Sequence, residues 1–355
     1  MTLTDVVVIG GGQAGLATAH TALMQGLTPV VVDAANGPGG SWPYYYDSLT
    51  LFSPARFSSL PGMPFPGDPQ RYPVRDEVVA YLEGYARGLD ADLRWNQQVE
   101  RVVAQDGGFT VSTAGGEAFR GRMVVAATGG FSRPYRPSLA GLDSFTGTVL
   151  HSGEYLHPAS FAGGRVVVVG GGNSAVQIAV EVAEVANVTL STRQPLRWQP
   201  QRILGQDFHW WLARTGLDTS ALGPWLAKNG VPVIDDGRYR TAVRAGRPDH
   251  RPLFTRLDGD SVLWADGSRE HLDTLILATG FRPELRYLRD TAALDDRGQP
   301  LHAGGVSSTV PGLGYVGLER QRSFASATLR GVGRDAAHVL TAVTRAAGAG
   351  RVAAR

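Results

Sequence analysis

Apolar positions in this chain fall into short unbroken runs rather than long alternations. Asp5-Val-Val-Val-Ile9 opens the sequence, and Pro29-Val-Val-Val32 follows one helical interval later. Runs without a polar partner predict strands covered on both faces, as in a parallel sheet. Between them the alanine-rich stretch 16–25, closed by Gly26, predicts a helix. The same order returns at Arg165-Val-Val-Val-Val169, a helical stretch at 176–185 and the run 188–191. Two more apolar runs, 123–127 and 274–278, each end in Thr-Gly. The stretch 94–120 alternates instead, around Gly107-Gly108 and Gly115-Gly116, and predicts a small meander. Strands interleaved with helices predict an α/β fold whose parallel unit occurs twice.

Glycines sit where each unit turns from strand to helix. Gly10-Gly-Gly12-Gln13-Ala14-Gly15 is a GxGxxG loop, and Asp33 closes the following strand eighteen residues after Gly15. Gly10 allows the tight turn, Gly12 lets a pyrophosphate approach the backbone, and Gly15 permits close helix–strand contact. The helix N-terminus then faces the phosphates, and Asp33 accepts hydrogen bonds from ribose hydroxyls. Gly170-Gly-Gly172-Asn173-Ser174-Ala175 repeats the loop as GxGxxA. Its second strand ends in Ser191-Thr192-Arg193 without an acid. Hydroxyls and a guanidinium suit a 2′-phosphate that a carboxylate would repel, which favours NADPH over NADH. The alternative is that Arg193 or Arg197 is a solvated loop residue.

Two nucleotide units, each followed by an Ala-Thr-Gly strand end (Thr128-Gly129; Ala278-Thr279-Gly280), resemble a two-dinucleotide flavoprotein. The expected architecture is α/β with two Rossmann-like dinucleotide-binding domains. An NADPH domain at 157–273 is inserted in a discontinuous FAD domain at 1–156 and 274–355. Residues 197–262, with Trp198, Trp210, Trp211 and Trp225, read either as an insertion over the active site or as aromatic core.

Composition narrows the chemistry. The 355 residues include 46 Gly and no Cys. Without cysteine there is no disulfide framework, thiolate metal site, Cys nucleophile or CxxC redox pair. No metal is expected. The charge balance is +2, with Arg scattered rather than massed in a stripe, so nucleic acid is not an expected partner. No apolar run approaches the ~20 residues of a membrane span, and the first residues lack the regions of a signal peptide. A cytoplasmic protein without membrane partners is expected, with a homodimer as the assembly.

Several motifs then resemble the flavin-containing monooxygenase family, most of all its small bacterial CzcO-like branch. Phe145-x-Gly147-x-x-x-His151-x-x-x-Tyr155 fits the family pattern FxGxxxHxxx(Y/F), and Gly40-Ser41-Trp42 resembles its GGxW turn. Tyr72-Pro73 with Asp76-Glu77-Val-Val-Ala-Tyr81-Leu resembles its YPxRDEVxxYL helix, and Gly317–Ser323 with Ala327–Gly333 its flavin-facing C-terminal segment. The likeness spans nearly the whole chain. It implies FAD contacts from Gly10, Gly12, Gln13, Ala14, Gly15, Asp33, Gly40, Ser41, Trp42, Ser53, Val99, Thr128, Gly129, Gly317 and Arg330. It implies NADPH contacts, with NADH as the alternative coenzyme, from Gly170, Gly172, Asn173, Ser174, Ala175, Thr192, Arg193, Ala278, Thr279 and Gly280.

The activity so implied is reduction of the flavin by NADPH, reaction with oxygen to a C4a-(hydro)peroxyflavin, and oxygenation of a small sulfide or amine, with ketones a further class. No side chain is assigned a catalytic role, because the flavin carries the chemistry. The motif His151 reads as a buried, hydrogen-bonded residue rather than an acid or base. Larger family members place an Asn near the flavin where this chain reads Leu51-Phe52-Ser53-Pro54. That departure motivates an alternative, an NAD(P)H oxidase or electron-transfer reductase; a non-enzymatic dinucleotide sensor is a third reading.

Overall fold

The computed structural model describes residues 3–105, 107–218, 220 and 232–353; Trp225 lies outside them. Two sheets organise the chain. In the first, the strands Leu3–Ile9 and Ala118–Ala126 pair in parallel at the centre. Pro29–Val32 and Asp92–Arg94 extend the sheet on one side, and Leu313–Tyr315 on the other, followed by the short strands Val306–Ser307 and His302–Ala303. The expected meander is present as Val99–Gln105 and Gly108–Thr113, antiparallel to each other and joined to Ala118–Ala126.

Val6, Val7 and Val8 are fully buried because both faces of this sheet are covered. Each such side chain contributes about 1.5–3 kcal/mol relative to exposure. One face packs on the helices Gln13–Met24, Arg75–Arg87 and Leu329–Ala353. The last of these buries Val332, Ala336, Val339, Leu340 and Val343, a single helical stripe. The other face packs on the meander and on Leu285, Tyr287 and Leu288.

The second sheet is parallel throughout. Its order is Asp249–Pro252, Asn187–Thr192, Arg165–Val169, Thr274–Leu277, Thr148–His151. Its two outer strands on one side, at 148–151 and 274–277, fall outside the 157–273 segment expected from the sequence. The reason is the hydrogen-bond ladder: Thr274–Leu277 pairs with Arg165–Val169 on one edge and Thr148–His151 on the other.

The helices Gln13–Met24 and Asn173–Val182 each begin three residues before the apolar pattern predicts, directly after Gly12 and Gly172. The polar Gln13 and Asn173 hide these starts, yet it is the start that aims the first-turn amides. Among the described residues no helix is long and apolar enough to cross a membrane.

Candidate cofactor clefts and their buried polar clusters

At the first glycine loop, φ of Gly10 is +111°, and a Cβ there would lie 2.6 Å from the Ala127 oxygen. A Cβ on Gly15 would lie 1.7 Å from the Gly10 oxygen, so helix and loop meet backbone to backbone. Gly12 caps the helix without a side-chain hydrogen bond, and no acid sits in its first turn. The amides there remain available to an anion. Three further segments converge on this start. Gly40, at φ +58°, would place a Cβ 2.9 Å from the Gly12 Cα, and Gly317, at φ +90°, would place one 2.7 Å from the Ala14 Cβ. Gly129 lies against Gly317 in turn.

Gln13 binds these segments together: its Oε1 accepts from Trp42 Nε1 at 2.9 Å, and its Nε2 donates to the Ala327 oxygen at 2.7 Å. Ser41 caps the short helical turn that carries Trp42. Asp33 ends its strand as expected, accepting from the Gly11 amide and, at 2.7 Å, from the Ala35 amide. Each carboxylate oxygen keeps a second lone pair for a ribose hydroxyl. Val99 opens its strand two residues after Gln97, whose amide donates to the Asp33 oxygen at 2.8 Å. The hydroxyl of Thr128 lies 3.2 Å from that of Tyr287. Ser53 is buried and spends its hydroxyl on Ser58 at 2.9 Å.

Arg330 lies in the first turn of the last helix. Its Nε donates to Asp218 at 2.8 Å, and the pair is nearly closed to solvent, with side-chain exposures of 12% and 4%. Nη1 and Nη2 are buried without a hydrogen-bond partner among the described residues. A buried guanidinium with two unmatched nitrogens calls for an electron-rich group, as the pyrimidine edge of a flavin is. The glycine crevice, the uncapped amides and this guanidinium together fit a flavin dinucleotide.

The second loop has the same construction. Gly170 has φ +147°, and a Cβ there would lie 2.3 Å from the Ala278 oxygen. A Cβ on Gly172 would meet nothing within 4 Å, so space stands open before the helix N-terminus. Ala175 is buried beneath the loop. Asn173 accepts from the Ile234 amide at 2.9 Å, and Gln177 on the same helix accepts from the Tyr46 hydroxyl. Thr279 donates to the Tyr135 oxygen. Thr192 is buried while Arg193 is exposed. Replacing Arg193 by Ala is expected to weaken NADPH about 10–150-fold and NADH little, the worth of a charged hydrogen bond of ~1.5–3 kcal/mol. Michaelis constants for both coenzymes check this, and equal changes would make Arg193 a bystander.

The motif residues do structural work. His151 is fully buried, its Nε2 donates to the Gly280 oxygen at 2.9 Å, and its Nδ1 accepts from the Gly153 amide at 3.1 Å. Burial holds its pKa below the ordinary imidazole value, so the ring is neutral. It ties the strand Thr148–His151 to the Gly280 turn. The ring of Phe145 occupies the place a Cβ on Gly147 would take, at 2.4 Å. The hydroxyl of Tyr155 donates to Glu181 on the second glycine-loop helix at 2.9 Å.

Sequence reasoning did not find a second buried cluster. Asp207, at the N-terminus of the helix Phe208–Thr215, accepts from Tyr72 at 2.6 Å, from Gln201 at 2.7 Å, and from the amide and Nδ1 of His209 at 2.7 and 3.0 Å. Burial works to raise the Asp207 carboxyl, but the hydrogen bonds led by His209 outweigh it and hold it below its usual range. Burial keeps His209 neutral against the pull of Asp207. Nδ1 therefore carries the proton and Nε2 the lone pair. The ring stacks on Phe52 at 5.9 Å and feels the charges of Arg330 and Asp218. The local signal was Asp-x-His at a helix start, which is common at N-caps. Beside this cluster a cavity of about 520 Å³ is lined by Tyr72, Trp198, Gln201, Arg202, Asp235 and Arg240 among others. Trp198 packs partly into the core of the second sheet, and Trp211 donates to the Ile203 oxygen at 3.0 Å. Among the described residues no group of three metal-ligating side chains occurs.

Comparison with known proteins places this geometry. Residues 7–210 match the pyridine nucleotide-disulphide oxidoreductase family. A CzcO-like oxidoreductase of Geobacillus kaustophilus is 36% identical over 95% of this chain and 97% of its own. The indole-3-pyruvate monooxygenase YUCCA1 of rice is 32% identical over 82% of this chain and 80% of its own. The solved flavin-containing monooxygenase of Stenotrophomonas maltophilia is 34% identical, with a TM-score of 0.86 over 97% of this chain and 99% of that one. With two glycine-loop units, no cysteine and these relatives, the chain belongs to the flavin monooxygenase family and is a flavoprotein oxidoreductase that uses FAD and NADPH.

Proposed function

We propose that this flavin monooxygenase oxygenates small soft nucleophiles, turning sulfides into sulfoxides and oxygenating amines, with ketones as a further class. The observation that carries the reading is the pair of parallel strand–helix–strand units, one in each sheet, each presenting a helix N-terminus without a side-chain cap at Gly12 and Gly172. In this reading the Leu3–Ile9 sheet and its helices hold FAD, and the Arg165–Val169 sheet holds NADPH. The NADPH unit then spans about 148–280, including the strands at 148–151 and 274–277. The first-turn amides at Gly12, Gln13 and Ala14 hold the flavin pyrophosphate, Asp33 the ribose, and Arg330 the pyrimidine edge. The amides at Gly172, Asn173 and Ser174 hold the pyrophosphate of NADPH, with Arg193 on its 2′-phosphate.

Bound FAD supplies hydride acceptance and oxygen activation; the chain supplies placement and dryness. Trp42 is held beside the first glycine-loop helix by its hydrogen bond to Gln13. Phe52, stacked on His209, presents an apolar face beside the Arg330–Asp218 pair. The cavity at Tyr72 and Trp198 has the size of small-molecule sites. A homodimer in the cytoplasm completes the reading, and sedimentation of the holoenzyme tests the dimer.

One observation favours a second reading, an NAD(P)H oxidase or electron-transfer reductase. The Leu51–Pro54 stretch offers no side-chain amide, and its Ser53 hydroxyl is engaged by Ser58. One assay separates the two: NADPH and oxygen consumption by the yellow protein with thioanisole, counting sulfoxide against hydrogen peroxide. Sulfoxide in near-stoichiometric yield is expected. Peroxide alone, across several sulfides and amines, would favour the oxidase.

A further inference from the structure

Thr192 stands at the end of its strand against the second glycine loop, its Cγ2 3.9 Å from where a Cβ on Gly171 would lie, at the place where a βαβ unit meets the adenosine ribose. Its hydroxyl is not free to turn. Nε2 of His250, on the neighbouring parallel strand Asp249–Pro252, lies 2.9 Å from its Oγ1. Thr192 is buried, and the Leu253 amide holds its backbone oxygen at 2.9 Å, so the pair is set by the sheet rather than by surface chance. Arg193 follows at once and is exposed.

A threonine hydroxyl has one proton. If Nε2 of His250 is bare, Thr192 must donate to it, and Oγ1 can then only accept from a ligand. It would suit a ribose 2′-hydroxyl, which has a proton to give. If Nε2 carries a proton, His250 donates to Oγ1 and the threonine proton is released outward. The hydroxyl then suits a phosphate, which only accepts. We propose that His250 is a specificity-determining residue for the coenzyme: its proton sets Thr192 as donor to a 2′-phosphate or as acceptor from a 2′-hydroxyl.

This rests on the reading of the second glycine loop as the NADPH site. Burial holds His250 below the ordinary imidazole pKa, while the carboxylate of Asp249 pulls the other way; among the described residues Asp249 is the charged group acting on it. Asp249 is itself shared with Arg251 at 2.6 Å. The free imidazole is therefore neutral at pH 7.5; in the proposed switch its one proton then sits on Nδ1, Nε2 is bare, and a 2′-phosphate dianion draws a second proton onto the ring. Preference for the phosphorylated ligand rises as pH falls.

The test is calorimetry with two fragments that lack the nicotinamide, adenosine 2′,5′-bisphosphate and 5′-AMP, on the flavin-loaded protein from pH 6.5 to 8.5. Buffers of different ionisation enthalpy read the proton. Wild type should take up a fraction of a proton with the bisphosphate beyond that with 5′-AMP, and its preference should fall severalfold by pH 8.5. His250→Gln should abolish the extra proton and flatten the pH dependence. Thr192→Val, which keeps the side-chain volume, should cost about tenfold in bisphosphate affinity at pH 6.5, the worth of one hydrogen bond to a charged acceptor. A bisphosphate preference with the same proton count in His250→Gln as in wild type overturns the role of His250 alone. Equal binding of the two fragments by wild type overturns the 2′-phosphate reading of the site and this proposal with it.

Discussion

Gly15→Ala yields a protein that no longer retains flavin. Its new Cβ would lie 1.7 Å from the Gly10 oxygen, a backbone atom that has no rotamer to change. Either the helix Gln13–Met24 lifts from its strand or the loop opens, and both move the first-turn amides. Ordinary overpacking costs ~1–3 kcal/mol, and a clash between backbone elements belongs at or above the upper end. Visible absorbance per mole of protein and the urea midpoint of the flavin-free chain read the two consequences. A yellow protein with an unchanged midpoint would show that helix and loop are not locked together. Gly172→Ala is the internal contrast, since its Cβ would meet nothing within 4 Å. It should fold and hold flavin normally while losing NADPH affinity, because the space it fills is the space assigned to the pyrophosphate.

Arg330→Met should have the second-largest effect. Asp218 is 3% exposed and would be left without the guanidinium. Breaking a buried ion pair from one side costs about 3–5 kcal/mol, mostly because the remaining charge stays buried. Denaturation of the flavin-free protein measures this cost. The double variant Arg330→Met, Asp218→Asn removes both charges and should recover much of the stability. It should not recover flavin affinity, since Nη1 and Nη2 are the atoms with no other partner in the described structure. A double variant that binds flavin as tightly as wild type would make the arginine a structural residue only.

The range of the forces involved decides which features a sequence carries. The strand runs were legible because a strand buried on both faces must be continuously apolar. Glycine at 10, 12, 15, 170 and 172 was legible because only a missing Cβ permits the turn or the close approach. The places of Asp33 and Arg193 directly after their strands were legible from where the apolar runs stop. The helix starts at Gln13 and Asn173 were blurred, because polar residues in a first turn carry no apolar period. The strands at 148–151 and 274–277 lie outside the expected 157–273 segment yet pair into its sheet, which the sequence does not show because their ladder partners are far away in the chain.

The sequence by itself thus determined the two parallel units, their glycine loops, the acid and the guanidinium at their strand ends, and the exclusion of disulfide chemistry. Those properties are local: period, steric absence, or a missing residue type. Only the tertiary structure decided that Asp207 gathers Tyr72, Gln201 and His209, that Arg330 is half satisfied by Asp218, and that His250 grips Thr192. A buried polar group takes whichever partner the folded chain brings within about 3 Å, and most of these partners lie tens of residues or more apart. Sequence spacing carries little trace of such a meeting until the sheets have closed around it.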